Sequence, residues 1–180
     1  ENSKEQFALH PQAKTRDLRL LLRGRLKTDR QTTWSTGIMR DFVTNDWTFR
    51  QTGFLVDVPE VWGQVFIGRQ KEGFSLNKIM VGYAGWTMER TPFSDAAIPI
   101  LADGVKWIGY LPEKHVLWNL GFFGDILSKT ESFSTYAHQT VGRFVWLPVE
   151  SEETVLHLGI NLRHGKRADG MLQLKSRPEV

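Results

Sequence analysis

Cationic side chains recur at alternate positions along the chain, and their chemistry is that of oxyanion binding. In RDLRLLLRGRLKTD, residues 16–29, the odd set is Arg19, Leu21, Arg23, Arg25 and Lys27. A guanidinium stays charged and presents a planar fork of N–H donors that matches phosphate and carboxylate oxygens in pairs. A row of such groups of similar strength attracts anions and also lets them move on. The even set is Leu18, Leu20, Leu22, Gly24 and Leu26. Successive side chains of a strand point to opposite faces, so this is a sheet segment with one oily face and one cationic face. In a soluble protein the oily face covers a core and the basic face meets water. In an outer-membrane barrel the oily face meets lipid and the basic face lines an aqueous lumen. The bias recurs downstream. Arg143 alternates with Phe144 and Trp146, Arg163 with Leu156, Leu158, Ile160 and Leu162, and Lys175 and Arg177 share a face with Gln173.

Other chemistries find little support. There is no Gly-x-Ser-x-Gly elbow and no Gly-rich phosphate loop, so an enzyme is not expected. Glu89 and Asp95 form a conceivable carboxylate pair, but loop carboxylates more often pin a loop by hydrogen bonding. His157 and His164 have no partner at metal-ligand spacing, and His10 and His115 are no better. The absence of Cys excludes disulfides and thiolate metal sites. No metal and no cofactor are expected.

The elements that carry these residues read as strands. The 180 residues suffice for one domain with a sizeable core. No run of about 18 apolar residues exists, which excludes a transmembrane helix but not a barrel, whose strands need an apolar residue only at every second position. Seven Trp in this length tilt the reading toward a membrane interface, where Trp and Tyr collect. The net charge of +3 suits anionic partners of any kind. The opening ENSKEQFALHPQAK has no apolar core of a signal peptide, so the protein either is not exported or has been trimmed.

Residues 1–15 read as an approach segment. Strands are expected at 16–27, 32–41, 47–58 and 61–70. Trp34, Thr36 and Ile38 share one face of the second, with Ser35, Gly37 and Met39 on the other. From 71 to 103 the alternation lapses amid Gly73, Gly82, Gly85, Pro92 and Pro99, with room for a helical turn or two over 76–83. A loop this long in a compact domain is usually functional. Strands resume at 104–111, 115–125, 139–147 (ended by Pro148), 154–164 and 171–177. The total is about nine. Short connections (112–114, 149–153) alternate with long ones (71–103, 126–138), as when one barrel rim carries turns and the other loops. The fold class expected is therefore all-β: an antiparallel transmembrane β-barrel, present over residues 1–180 as an incomplete portion. An odd strand count and an unfinished last strand imply that it continues beyond both ends.

At Gly68-Arg69-Gln70-Lys71-Glu72-Gly73-Phe74-Ser75-Leu76 the chain resembles the phosphate-selective porin O and P family, whose strand runs here into a long constriction loop. Met88-Glu89-Arg90-Thr91 resembles that loop's Glu-Arg pair. Val141-Gly142-Arg143-Phe144 before Trp146-Leu147-Pro148, and His157-Leu158-Gly159 leading to Arg177-Pro178-Glu179, resemble later strands. The likeness spans roughly residues 16–179 through short motifs. It implies a homotrimeric outer-membrane channel of sixteen strands per subunit, of which this chain would be about the first half or a little more. It also implies a lumen lined with Arg and Lys, and an inward loop that narrows the pore. By this resemblance Arg90 matches the loop arginine, Lys78 a lysine at the narrowing, and Arg16 an arginine of the first strand. Two departures stand out. Arg16 is followed by Asp17 where relatives carry paired arginines, and Gly73 stands where many have Pro. The lost charge weakens phosphate in particular and leaves anions in general.

The expected function is an outer-membrane diffusion channel in the bacterial outer membrane, passing inorganic anions such as phosphate or polyphosphate. The anion pathway would be Arg16, Arg19, Arg23, Arg25, Lys78, Arg90, Arg143, Arg163, Lys175 and Arg177, with outer-membrane lipid as a partner and no nucleic acid. The alternative is a soluble β-sandwich that binds acidic glycan or nucleic acid through its basic face.

Overall fold

The computed structural model describes residues 15, 17–42, 45–79, 98, 101–124, 136–168 and 170–171. The strands are β1 (Asp17–Lys27), β2 (Gln31–Asp41), β3 (Asp46–Phe49), β4 (Thr52–Val58), β5 (Gly63–Gln70), β6 (Ala102–Leu111), β7 (Val116–Gly124), β8 (Tyr136–Glu150) and β9 (Val155–Arg167). They form one nine-stranded antiparallel sheet in the order β1-β2-β4-β5-β6-β7-β8-β9, with β3 also paired to β2. The path runs from β1 to β9 without joining them, so the sheet is not closed. A one-turn helix, Leu76–Ile79, and two 3-10 turns, Pro59–Val61 and Pro112–Lys114, complete the regular structure among the described residues.

Cross-strand register decides which side chains share a face. From Leu20↔Ile38 and Trp34↔Phe54, through Phe54↔Ile67, Ile67↔Val105 and Val105↔Phe122, to Trp118↔Phe144 and Phe144↔Ile160, apolar residues lie opposite one another across the whole sheet. Leu18, Leu22 and Leu26 thus share a face with Trp118, Leu120, Leu156 and Leu158. That face is open: Leu18 is 60% exposed, Ile160 60% and Leu162 70%. Eight strands about 4.8 Å apart, over a band about 25 Å tall, make an area on the order of 1,000 Å². The largest apolar patch on a typical soluble monomer is about 300–600 Å².

The buried cluster lies on the opposite, cationic face. Ala102, Phe123 and Val141 form it, and Phe74 packs against them. Around them Gln70, Glu72, Asn119, Gln139 and Arg143 are buried as well. The arrangement inverts that of a soluble sheet, which covers its oily face and wets its polar one.

Residues 28–30, 59–62, 112–115 and 151–154 turn tightly at one end; at the other, β3 follows β2 closely, with Asp41 opposite Asp46, and the connections after β5 and β7 are long. Both 3-10 turns begin with proline and end in a left-handed residue, Trp62 (φ 54°) and His115 (φ 51°), whose N–H returns to the proline carbonyl. Trp34, Trp107, Trp118 and Trp146 stand on the leucine face toward this tight-turn end. Glycines opposite two of them let the indoles lie over the neighbouring strand: an added Cβ at Gly109 would come within 2.0 Å of the Trp118 ring, and one at Gly24 within 2.6 Å of Trp34.

Several strand boundaries differ from expectation. The strand expected over 47–58 is two, because β2 has two residues between its pairs Ser35↔Gly53 and Ile38↔Phe49 where the other side has three. The extra residue forces a bulge, and Thr52 Oγ1 takes the Gly37 N–H at 3.3 Å. Pro148 does not end β8. It lies in a register shift between Trp146 and Val149, where a missing N–H is tolerated, and the strand runs on to Glu150. The strand expected over 171–177 lies outside the described residues except for Met171, which is not in a strand, so the count of nine is reached with a different set.

Candidate ion-conducting face

The first strand sets the row of cations. Arg19, Arg23, Arg25 and Lys27 stand at alternate positions of β1 on the side away from the leucines, opposite Met39, Ser35, Thr33 and Gln31. Short polar neighbours leave the guanidiniums room to extend. Arg19 Nη2 contacts Asp17 Oδ2 at 2.6 Å, so its charge is shared with a carboxylate. Arg23 and Arg25 are exposed and make no ion pair among the described residues.

On β8 and β9 the same face is covered. Lys71 to Phe74 leave the end of β5 and cross β6, β7, β8 and β9. Lys106 Nζ donates to the Lys71 carbonyl at 3.2 Å, and Lys71 Nζ donates to that of Ile79 at 3.1 Å, closing the short segment on itself. Glu72 is the anchor. Arg163 Nε lies 3.3 Å from Glu72 Oε2, Gln139 Nε2 donates to Glu72 Oε1, and Arg163 Nη2 donates to Gln139 Oε1 at 2.6 Å. Gly73 sits on Asn119, where an added Cβ would meet Asn119 Cβ at 2.8 Å. The Asn161 amide nitrogen reaches the Phe74 carbonyl at 2.9 Å. A segment without side-chain bulk at Gly73, flanked by an acid and an aromatic, is therefore seated on a polar floor. At its root Arg69 and Asp103, register partners on β5 and β6, form a buried ion pair at 3.3 Å.

Arg143 lies between Asn119 and Asn161 in the cross-strand row. It is buried, and among the described residues its Nε and Nη1 have no hydrogen-bond partner.

The expected pathway residues thus fall into groups. Arg23 and Arg25 are open on the cationic face, and Arg19 is open but paired. Arg143 and Arg163 share that face under the 71–74 segment, with Arg163 committed to Glu72. Lys78 falls in the one-turn helix. Arg16, Arg90, Lys175 and Arg177, like Glu89 and Asp95, lie outside the described residues. The expected loop at 71–103 is described over 71–79, 98 and 101–103, and over 71–74 it lies against the cationic face.

Glu72, Gln139 and Lys106 were not anticipated as members of this face, whereas the alternation of Asn119 with Trp118 and Leu120 placed it there. Alternation carries a usable signal for two of them, since Gln139 precedes Arg143 by four residues and Lys106 adjoins Trp107. For Glu72, beyond the strand end, only the fold supplies the partners.

No family model matches the chain, and neither a curated protein nor a solved structure matches it.

Proposed function

We propose that this chain is part of an outer-membrane diffusion channel that favours anions. The observation that carries the reading is the apolar face, exposed from β1 to β9 and interrupted by the Arg69–Asp103 pair, backed by a face on which cations predominate. Lipid on one side and water on the other account for both; water on both sides accounts for neither. The gathering of the long connections at one end supports the same reading, as does the segment 71–74 seated on the cationic side. Arg19, Arg23 and Arg25 belong to the anion pathway, Arg16, Lys78 and Arg90 are assigned to it by the porin resemblance and Lys175 and Arg177 by the alternation of the last expected strand, while Arg143 and Arg163 lie on the same face beneath residues 71–74. Phosphate-like anions, closure into a barrel, the homotrimer and the bacterial outer membrane rest on that resemblance too. The sandwich alternative lacks the second sheet that would cover the leucines: the described strands belong to one sheet.

The test is ion selectivity of the full-length protein in planar bilayers under a KCl gradient. Discrete conductance steps with an anion-selective reversal potential are expected. Arg23→Glu with Arg25→Glu, and separately Lys78→Glu with Arg90→Glu, move that potential toward the cation side. Absence of conductance steps overturns the channel, and unchanged potentials in both variants overturn the assigned pathway.

A further inference from the structure

The leucine face is asymmetric in charge. Setting aside the buried Arg69–Asp103 pair, its described basic or imidazole side chains stand at the end that carries the long connections. Arg40 occupies that end of β2, level with Trp47 of β3; its guanidinium lies 5.7 Å from the Trp47 ring centroid and donates to Asn45. On the other flank of the sheet, His138 of β8 is the register partner of Lys166 on β9, and His164 is the partner of Thr140. The His138 ring stacks at 6.3 Å on Phe122, which lies below it on the same face. His164 and Lys166 are exposed. Toward the tight turns the described strand residues of the same face are Thr32, Trp34, Val56, Trp107, Trp118 and Trp146, with no cation among them; Arg30 and Lys114 stand in the turns beyond.

Cations that merely reach for water from a lipid-facing surface have equal reason to stand at both ends of an apolar band. Here they stand at one end, each beside an aromatic ring or above a run of apolar residues such as Leu162, Ile160 and Leu158. The complementary ligand at each flank is an amphiphile: a negative headgroup to meet Lys166 and the two histidines on β8 and β9, a second to meet Arg40 on β2, and acyl chains to lie on the apolar residues below.

We propose that this end of the leucine face binds the headgroups of anionic membrane lipids, one at the β8–β9 flank and one at β2. The inference rests on the membrane reading above and adds to it a lipid chemistry and a location. Lys166 and Arg40 supply the fixed charges. His138 and His164 supply N–H donors to the headgroup oxygens, and Phe122 and Trp47 pack against the glycerol region.

The experiment uses the full-length protein in micelles containing phosphatidylglycerol and phosphatidylcholine in equal amounts, with retained lipids counted by native mass spectrometry. Insertion into pure phosphatidylcholine vesicles is measured alongside. Phosphatidylglycerol is expected in excess, and Lys166→Gln and Arg40→Gln each lower that excess about fivefold, the equivalent of about 1 kcal/mol per basic residue at an anionic surface. Lys114→Gln, at the tight-turn end, leaves it unchanged. Insertion into phosphatidylcholine with equal retention of the two lipids overturns this inference alone, as does an excess that survives both substitutions. Failure to insert into either lipid overturns the membrane reading and this inference with it.

Discussion

Glu72 and Arg163 meet at 3.3 Å across ninety-one residues of sequence, and both are largely buried. The contact joins the end of β5 to β9, four strands away on the sheet path. It makes the position of the 71–74 segment a property of the whole sheet rather than of its own loop.

Removing one member of this pair strands the other in a site with little water. Glu72→Ala is expected to destabilise the fold by about 3 kcal/mol, in the range for breaking a buried pair. Arg163→Met should cost a similar amount, and the double variant less than the sum, because the orphaned charge disappears with its partner. Denaturation curves of the four proteins give the coupling. Additive losses would mean that the two residues act independently.

The leucine face gives a sharper test of its solvent. Leu20→Arg places a charge in the middle of the apolar band, and in a bilayer that position costs about 2–4 kcal/mol. Leu21→Arg adds the same charge on the cationic face and should cost far less. Folding yields into vesicles of the two variants separate them. Equal behaviour would mean that the leucine face does not meet lipid.

Packing of the tryptophans depends on the glycines opposite them. Gly109→Ala drives a methyl to within 2.0 Å of the Trp118 ring, which is held edge-on to Trp107 at 5.5 Å. Overpacking of this kind costs about 1–3 kcal/mol. The near-ultraviolet circular dichroism of the indole pair should change with it. A spectrum and stability like those of the parent would show that Trp118 has room to move aside.

The tight-turn end carries a pH-dependent contact. Arg30 holds Glu60 through two hydrogen bonds of 2.8 Å, joining the β1–β2 turn to the β4–β5 turn. The hydrogen bond from Arg30 is the main reason that the Glu60 carboxyl titrates below its ordinary value of 4.5. A lowered folded-state pKa means that the contact contributes fully above 4.5 and is lost as pH falls through the folded value. Protection of the amides of residues 60–62, corrected for the intrinsic exchange rate at each pH, should therefore fall on acidification below 4.5, and Glu60→Gln should remove that dependence. An identical acid response in the variant would assign it to another group.

The alternation Leu18-Arg19-Leu20 already determines a two-faced strand, since side chains of an extended chain have no other arrangement. The same logic reads Trp34-Ser35-Thr36, Phe144 against Arg143, and Leu158-Gly159-Ile160 from sequence alone, and the register across β1 to β9 joins those faces as the alternation requires. Alternation has no information about insertions, so the bulge that splits 46–58 and the shift that carries β8 past Pro148 became visible only with the strands paired. Nor does it reach beyond a strand end. Arg163 is identifiable as a cation of the polar face, but its commitment to Glu72 depends on where the chain goes after Gln70. That path is fixed by Phe74 in its apolar pocket and by Gly73 against Asn119. Arg23 and Arg25 remain open while Arg163 does not, because only the tertiary structure lays residues 71–74 over β8 and β9.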